Sequence, residues 1–191
     1  MSSKAYQEWI ETRSKALDEM AQAHTAVGGI QRGRRYATQQ INQSYAVLIA
    51  AQFQGFCRDL HSECVDSLVV NLVPASTHSL MTIEFTWNRQ LDHGNAKPSS
   101  LRFDFGRLGI DVWPRVDAHA PTNARLRSEL ESLNLWRNAI VHQDLDPAKL
   151  GGTTLRLSRV KKWRRACTKL ARSLDEVMRQ HLKFLTGVSP W

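Results

Sequence analysis

Apolar residues recur along this chain in steps of three and four, and several stretches keep that period long enough to predict helices. From residue 4 to about 27, Tyr6, Trp9, Ile10, Leu17, Met20 and Val27 fall on one face, with Glu8, Glu11, Arg13, Lys15 and Asp18 between them. Gly28-Gly29 supplies a stop. A second stretch, from about Tyr36 to Leu72, carries Ile41, Tyr45, Leu48, Ile49, Phe53, Phe56, Leu60, Cys64, Leu68 and Leu72, and Pro74 ends it. A helix of that length suits the spine of a bundle.

The pattern weakens between residues 75 and 119. Thr82-Ile83-Glu84-Phe85-Thr86-Trp87 alternates like a strand, but one short strand has no partner elsewhere, so helix is the better reading for about 76–92. His93-Gly94-Asn95-Ala96-Lys97-Pro98 reads as a turn cluster. Ser99 or Ser100 then caps a short helix carrying Leu101, Phe103, Phe105 and Leu108, and Trp113-Pro114 begins a loop that reaches Pro121. Periodicity returns after Thr122 or Asn123 as cap, with Leu126, Leu130, Leu133, Ile140 and Val141 as the apolar side and Asp146-Pro147 limiting continuation. Gly151-Gly152 breaks the chain before a last helix over about 155–186. Its seam is Val160, Trp163, Cys167, Leu170, Leu174, Val177, His181 and Phe184.

These elements predict an all-α protein: an up-and-down helical bundle with a long second helix and an irregular, short-helix insertion at about 75–119. The 191 residues fit a single domain spanning 1–191, and no internal repeat or low-complexity tract divides them. No apolar run approaches the roughly 20 residues of a membrane span, and the first residues lack a signal-peptide segment. A cytoplasmic protein with no membrane association is expected. Its cysteines, Cys57, Cys64 and Cys167, are odd in number and fit a reducing compartment.

Charge sharpens the choice of partner. The net charge of +8 favours polyanions. It is concentrated on the last helix, where Arg156, Arg159, Lys161, Lys162, Arg164, Arg165, Lys169 and Arg172 lie with no acidic residue before Asp175. RNA is the expected partner of Arg156, Arg159, Lys161, Lys162, Arg164 and Arg165, against the plainer reading of a solvated face. Trp163 falls on the apolar seam and belongs to the core. Gln31-Arg32-Gly33-Arg34-Arg35 offers cations beside a flexible backbone, but it lacks the spacing of a phosphate-binding loop and reads as a solvated connector.

Two groups of residues invite a chemical reading. Cys57, His61 and Cys64 stand at i, i+4 and i+7 on one helical face, as zinc ligands can, yet the same residues continue an unbroken core stripe and no fourth ligand announces itself. Core packing is the preferred reading. Arg137, Asn138 and His142 interrupt an apolar helix near its end. At five residues' separation, Arg137 and His142 lie about 140° apart around a helix and roughly 7.5 Å along it. They share a substrate only if His142 sits at or beyond the helix end, or if two copies of the segment meet. The plain alternative is that the histidine favours the helix dipole while the arginine caps carbonyls or pairs with Glu131 or Asp144.

Arg137-Asn138-Ala139-Ile140-Val141-His142 resembles the motif of HEPN domains: arginine, a polar residue, a few apolar residues, then histidine. Val47-Leu48-Ile49-Ala50-Ala51-Gln52-Phe53-Gln54-Gly55-Phe56-Cys57-Arg58-Asp59-Leu60-His61 and Asp104-Phe105-Gly106-Arg107-Leu108-Gly109 are similar to segments of the RiboL-PSP-HEPN group. These pieces stand in the expected order over roughly 36–186. The resemblance implies a dimerising helical bundle with paired motifs. It also implies an endoribonuclease without metal or other cofactor, often a toxin or phage-defence effector with an antitoxin or other regulatory protein as partner.

Carried onto this chain, His142 is the general base or acid, for which histidine's ordinary pKa of about 6.5 is suited. Arg137 stabilises the phosphorane-like transition state, Asn138 orients substrate or neighbours, and the product is a 2′,3′-cyclic phosphate. Some HEPN toxins carry a modifiable tyrosine two residues after the histidine. Asp144 stands there in this chain, which argues against inactivation by that route, and its carboxylate can raise the His142 pKa or cap the helix end. The alternatives are a catalytically inactive HEPN-like module that binds RNA, a nucleotide or a protein, and, last, a zinc-stabilised regulator using Cys57, His61 and Cys64.

Overall fold

The long apolar stripe between Tyr45 and Leu68 becomes the axis of an all-α bundle. The computed structural model describes residues 1–28 and 35–191, and among these every regular element is helical. The chain begins with α1 (Lys4–Glu8), a π-helical turn (Trp9–Arg13) and α2 (Ser14–Gly28), which together fill the span predicted as one helix. The spine, α3 (Arg35–Leu72), packs against α2, α8 (Asn123–Val141) and α10 (Leu157–Thr186), and α8 and α10 also pack on each other. The basic Arg32–Arg34 segment lies outside the described residues. No described helix is long and apolar enough to cross a membrane.

The core follows from the periodicity. Tyr45, Ile49, Phe53, Phe56, Leu60 and Cys64 of α3 are fully buried, as are Val160, Trp163, Cys167, Leu170 and Leu174 of α10, all in one continuous cluster. Trp9 closes it at one end, edge-on to Phe53 with ring centroids 5.8 Å apart. Truncating such an aromatic costs about 3–5 kcal/mol. The N-terminus is held by two acidic side chains, buried Asp175 and half-buried Glu63. The Ser3 amide and hydroxyl donate to the Asp175 carboxylate, and the Lys4 and Ala5 amides donate to that of Glu63. In the middle of α3, Gly55 leaves room for the Arg13 guanidinium, which a Cβ there would push aside. Arg13 is anchored to Gln52 at 3.0 Å and Asp59 at 2.6 Å.

The 75–119 segment departs from expectation in detail. A short 3₁₀ turn (Ala75–Thr77) leads into α4 (His78–Thr86), so helix replaces the strand-like alternation, but the helix does not continue to residue 92. It stops where Asn88 takes φ 53°. The chain resumes as α5 (Gln90–His93) and α6 (Pro98–Gly106). The start of α6 is set by Pro98 at its first position, where a missing N–H costs nothing, and not by Ser99 or Ser100. The loop expected from Trp113 to Pro121 is instead α7 (Val112–His119). Pro114 falls in its first turn, where proline is tolerated, and the Trp113 indole donates to the Pro98 carbonyl at 2.7 Å.

Some seam assignments also fail. Phe184 is 84% exposed, and Val141, Phe103, Ile10 and Leu72 are likewise exposed. Trp136 takes the core position on α8 and packs on Trp163 with centroids 6.2 Å apart. Thr122 stands at the N-cap of α8 without a side-chain hydrogen bond there. Asn123 is used for tertiary bonding, donating to the Val116 carbonyl and the Ser173 hydroxyl. After α8, Asp146 caps a further short helix, α9 (Pro147–Leu150), which ends at Gly151 in the left-handed conformation.

Candidate functional site

Helix α8 buries Leu126, Leu130, Leu133 and Trp136, which turns Arg137 and Asn138 toward a cleft beside the α5–α6 connection. Two side chains of α8 hold that connection. The Asn134 amide, itself buried, donates to the Ala96 carbonyl at 3.2 Å. The Asn138 amide oxygen accepts from Asn95 Nδ2 at 2.5 Å and from Arg137 Nη1 at 3.2 Å. Arg137 pairs with neither Glu131 nor Asp144 among the described residues.

The opposite wall is fixed by Asp104, a fully buried carboxylate at the start of the Asp104–Leu108 segment. Its two oxygens accept from the Gln90 and Leu91 amides at 2.9 and 2.8 Å, satisfying the free N–H groups that begin α5. Phe105 packs edge-on to His61. Arg107 donates to the Trp87 and Glu84 carbonyls, and the Leu108 carbonyl receives His181 Nε2 at 2.8 Å. The last turn of α6 and the residues that follow it thus brace the cleft wall.

Between these walls lies an open cleft of about 590 Å³ whose lining includes Gln90, His93, Lys97, Phe103, Arg137 and Asn138. Its charge balance is positive. Asp92 is neutralised by a bidentate pair with Arg89 at 2.8 and 3.1 Å, while Lys97 and Arg137 have no acidic partner among the described residues. Such a cleft can hold a phosphodiester, with amide groups and an exposed aromatic ring for a base. In the sequence His93 is only one residue of a turn cluster. No periodic pattern marks it, and the bonds that bring it to Arg137 are tertiary.

His142 has a different position. It is the residue at which α8 ends, and its ring does not border the Arg137 cleft. The end is a Schellman closure: the Asp144 amide bonds the Ala139 carbonyl at 2.9 Å and the Gln143 amide the Ile140 carbonyl at 3.3 Å. Gln143 occupies the left-handed region at φ 56°, where glycine is the common choice. The Asp144 carboxylate faces Lys149 at 3.7 Å.

The basic face of α10 divides in two. Arg164 reaches Asp18 at 2.6 Å and the Tyr45 hydroxyl and Ser14 carbonyl at 3.3 Å, so it ties α2 and α3 to α10. Lys162 pairs with Glu129 at 2.6 Å, and Arg159 donates to Ser132 at 2.8 Å while its guanidinium lies 5.4 Å from the Trp163 ring. The acidic complement absent from α10 therefore comes from α2 and α8. Arg156, Lys161, Arg165 and Lys169 enter no ion pair among the described residues and border shallow hollows of about 410 and 430 Å³.

Cys57, His61 and Cys64 do not make a metal site. Both thiols are fully buried, and burial pushes their pKa values well up. Both His61 nitrogens are engaged: Nε2 donates to the Asp104 carbonyl at 3.1 Å and Nδ1 receives Arg89 at 3.4 Å. Burial, reinforced by the Arg89 charge, lowers the His61 pKa to about 4. No protein-family model, curated protein or solved structure matches the chain.

Proposed function

We propose that this chain is a HEPN-type, metal-independent endoribonuclease that works as a homodimer, in the role of a toxin or defence effector. The observation that carries the reading is the placement of Arg137 and Asn138 on a cationic cleft whose walls are fixed by the buried hydrogen bonds of Asp104 and Asn134. Arg137 offers a guanidinium not committed to a carboxylate, suited to charge developing on a phosphorane. Asn138 aims that guanidinium through its amide oxygen. His142, on the tip of α8, serves as general base or acid. The 2′-hydroxyl oxygen attacks phosphorus, the P–O5′ bond breaks, and the 2′-proton is removed as O5′ acquires one. A 2′,3′-cyclic phosphate results.

Because His142 does not border the Arg137 cleft, the reading places a second protomer's His142 there. Purified Arg137→Ala and His142→Ala proteins are each expected to lose cleavage of single-stranded RNA in EDTA while remaining dimeric by sedimentation. Wild-type rates from His142→Ala would sink the assignment.

The separation of His142 from Arg137 favours one other reading, an inactive HEPN-like module that binds RNA, a nucleotide or a protein through Arg156, Lys161, Arg165 and Lys169. In that case Arg165→Glu abolishes binding and His142→Ala changes nothing.

A further inference from the structure

The cleft already holds an imidazole from the same protomer as Arg137. His93 closes α5, and three sets of bonds fix its backbone. The Asp104 carboxylate grips the first amides of α5, the Gly94 amide returns to the Gln90 carbonyl at 2.9 Å, and Asn95 and Ala96 are tied to α8 through Asn138 and Asn134. α5 is a four-residue helix seated in the core by fully buried Leu91, with the buried Asp104 carboxylate at its start and the buried Asn134 amide beyond its end, which makes a rigid frame for its exposed residues. Such a frame is a reasonable way to place a reactive side chain. His93 itself is exposed and lines the cleft together with Lys97, Arg137 and Asn138. The charged groups around it are Lys97, Arg137 and Asp92, the last neutralised by Arg89.

We infer that His93 is a second catalytic histidine, acting on an RNA phosphodiester bound against Arg137. This inference rests on the ribonuclease reading. Transesterification needs two proton transfers: one imidazole accepts the 2′-hydroxyl proton as O2′ bonds to phosphorus, and a protonated one hands its proton to O5′ as the P–O5′ bond breaks. His93 and His142 divide these steps. Histidine suits both because it changes charge near neutral pH.

The test compares full-length wild type with His93→Gln on a labelled single-stranded RNA of mixed sequence, with the all-deoxy strand as uncleavable binding probe. Wild type should give a bell-shaped dependence of kcat/KM on pH. His93→Gln should lose one limb and lower kcat by about 100-fold or more, with KM and deoxy-strand affinity changed less than about threefold. The missing limb assigns the role: the acidic limb if His93 is the base, the basic limb if it is the acid. Should His93→Gln keep both limbs, at whatever rate, the second-histidine assignment is overturned while the ribonuclease reading stands. A wild-type protein that cleaves no RNA overturns both.

Discussion

Asn95 and Asn138 are joined by a 2.5 Å hydrogen bond from the amide nitrogen of the first to the amide oxygen of the second. The same oxygen accepts from Arg137 at 3.2 Å, so one atom connects the loop after α5 to the guanidinium on α8. This makes Asn138 a positioning residue for Arg137 as well as a wall of the cleft.

Asn138→Ala is therefore expected to lower kcat for RNA cleavage by about 10- to 100-fold, the scale of a misplaced catalytic group. Asn95→Ala should cause a smaller loss. The double variant should fall well short of the product of the two effects, because each removes the same contact. A double-mutant cycle on kcat reads this directly, and strictly multiplicative effects would contradict a shared role.

The basic helix predicts two separable phenotypes. Arg164 is committed to Asp18, Tyr45 and Ser14, and Arg164→Ala should lower the thermal midpoint while leaving the salt dependence of RNA affinity unchanged. Arg165 and Lys169 have no acidic partner among the described residues and border the same hollow. Replacing either with alanine should weaken RNA binding and reduce the slope of log K against log salt by about 1, with the midpoint unchanged. Fluorescence anisotropy at several salt concentrations, beside a melting curve, distinguishes the two classes.

How far the sequence displays this arrangement depends on which force places each residue. The spine and α10 are legible because each buries one continuous stripe, from Tyr45 to Leu68 and from Val160 to Val177. Helix α7 is not, since Trp113-Pro114 looks like loop chemistry and only its position in a first turn makes it compatible with a helix. The end of α8 at His142 follows from Asp146-Pro147 downstream, although the left-handed Gln143 that closes it carries no sequence signal of glycine. Arg137 and Asn138 stand out as polar residues in an apolar helix. His93 does not, because its placement depends on Asp104 and Asn138, residues far along the chain that act through hydrogen bonds without a period. Arg164 is misread for the same reason: its counterion, Asp18, is on α2.

Protonation of His61 sets an acid limit on stability. The folded protein holds this imidazole neutral, with its pKa lowered to about 4 by burial and by Arg89, while the unfolded chain binds a proton near pH 6.5. Between those values the unfolded state carries the extra proton, so stability falls as pH drops from about 6.5 to about 4, by roughly 3 kcal/mol in total from this group. Denaturant titrations at pH 7 and pH 5 should show the loss in wild type. His61→Gln should be less stable at pH 7, because the Asp104 carbonyl and Arg89 lose geometry, but its stability should depend less on pH over this interval. An unchanged pH slope in His61→Gln would remove His61 as the cause.

Whether Arg137 and His142 act within one protomer or across two has a decisive test in mixed dimers. If the site is composite, a heterodimer of Arg137→Ala with His142→Ala pairs the intact arginine of one chain with the intact histidine of the other. One of its two sites is then whole. Free exchange of equal amounts makes about half of all dimers mixed, so about a quarter of wild-type activity should return from two inactive parents. If both residues act within one chain, every site lacks one of them and the mixture stays inactive. The geometry favours recovery, because Arg137 borders the cleft and His142 caps the helix outside it. Adding His93→Gln to each parent in turn extends the test. It should abolish the recovered activity when carried on the chain that supplies Arg137, and leave it intact on the chain that supplies His142.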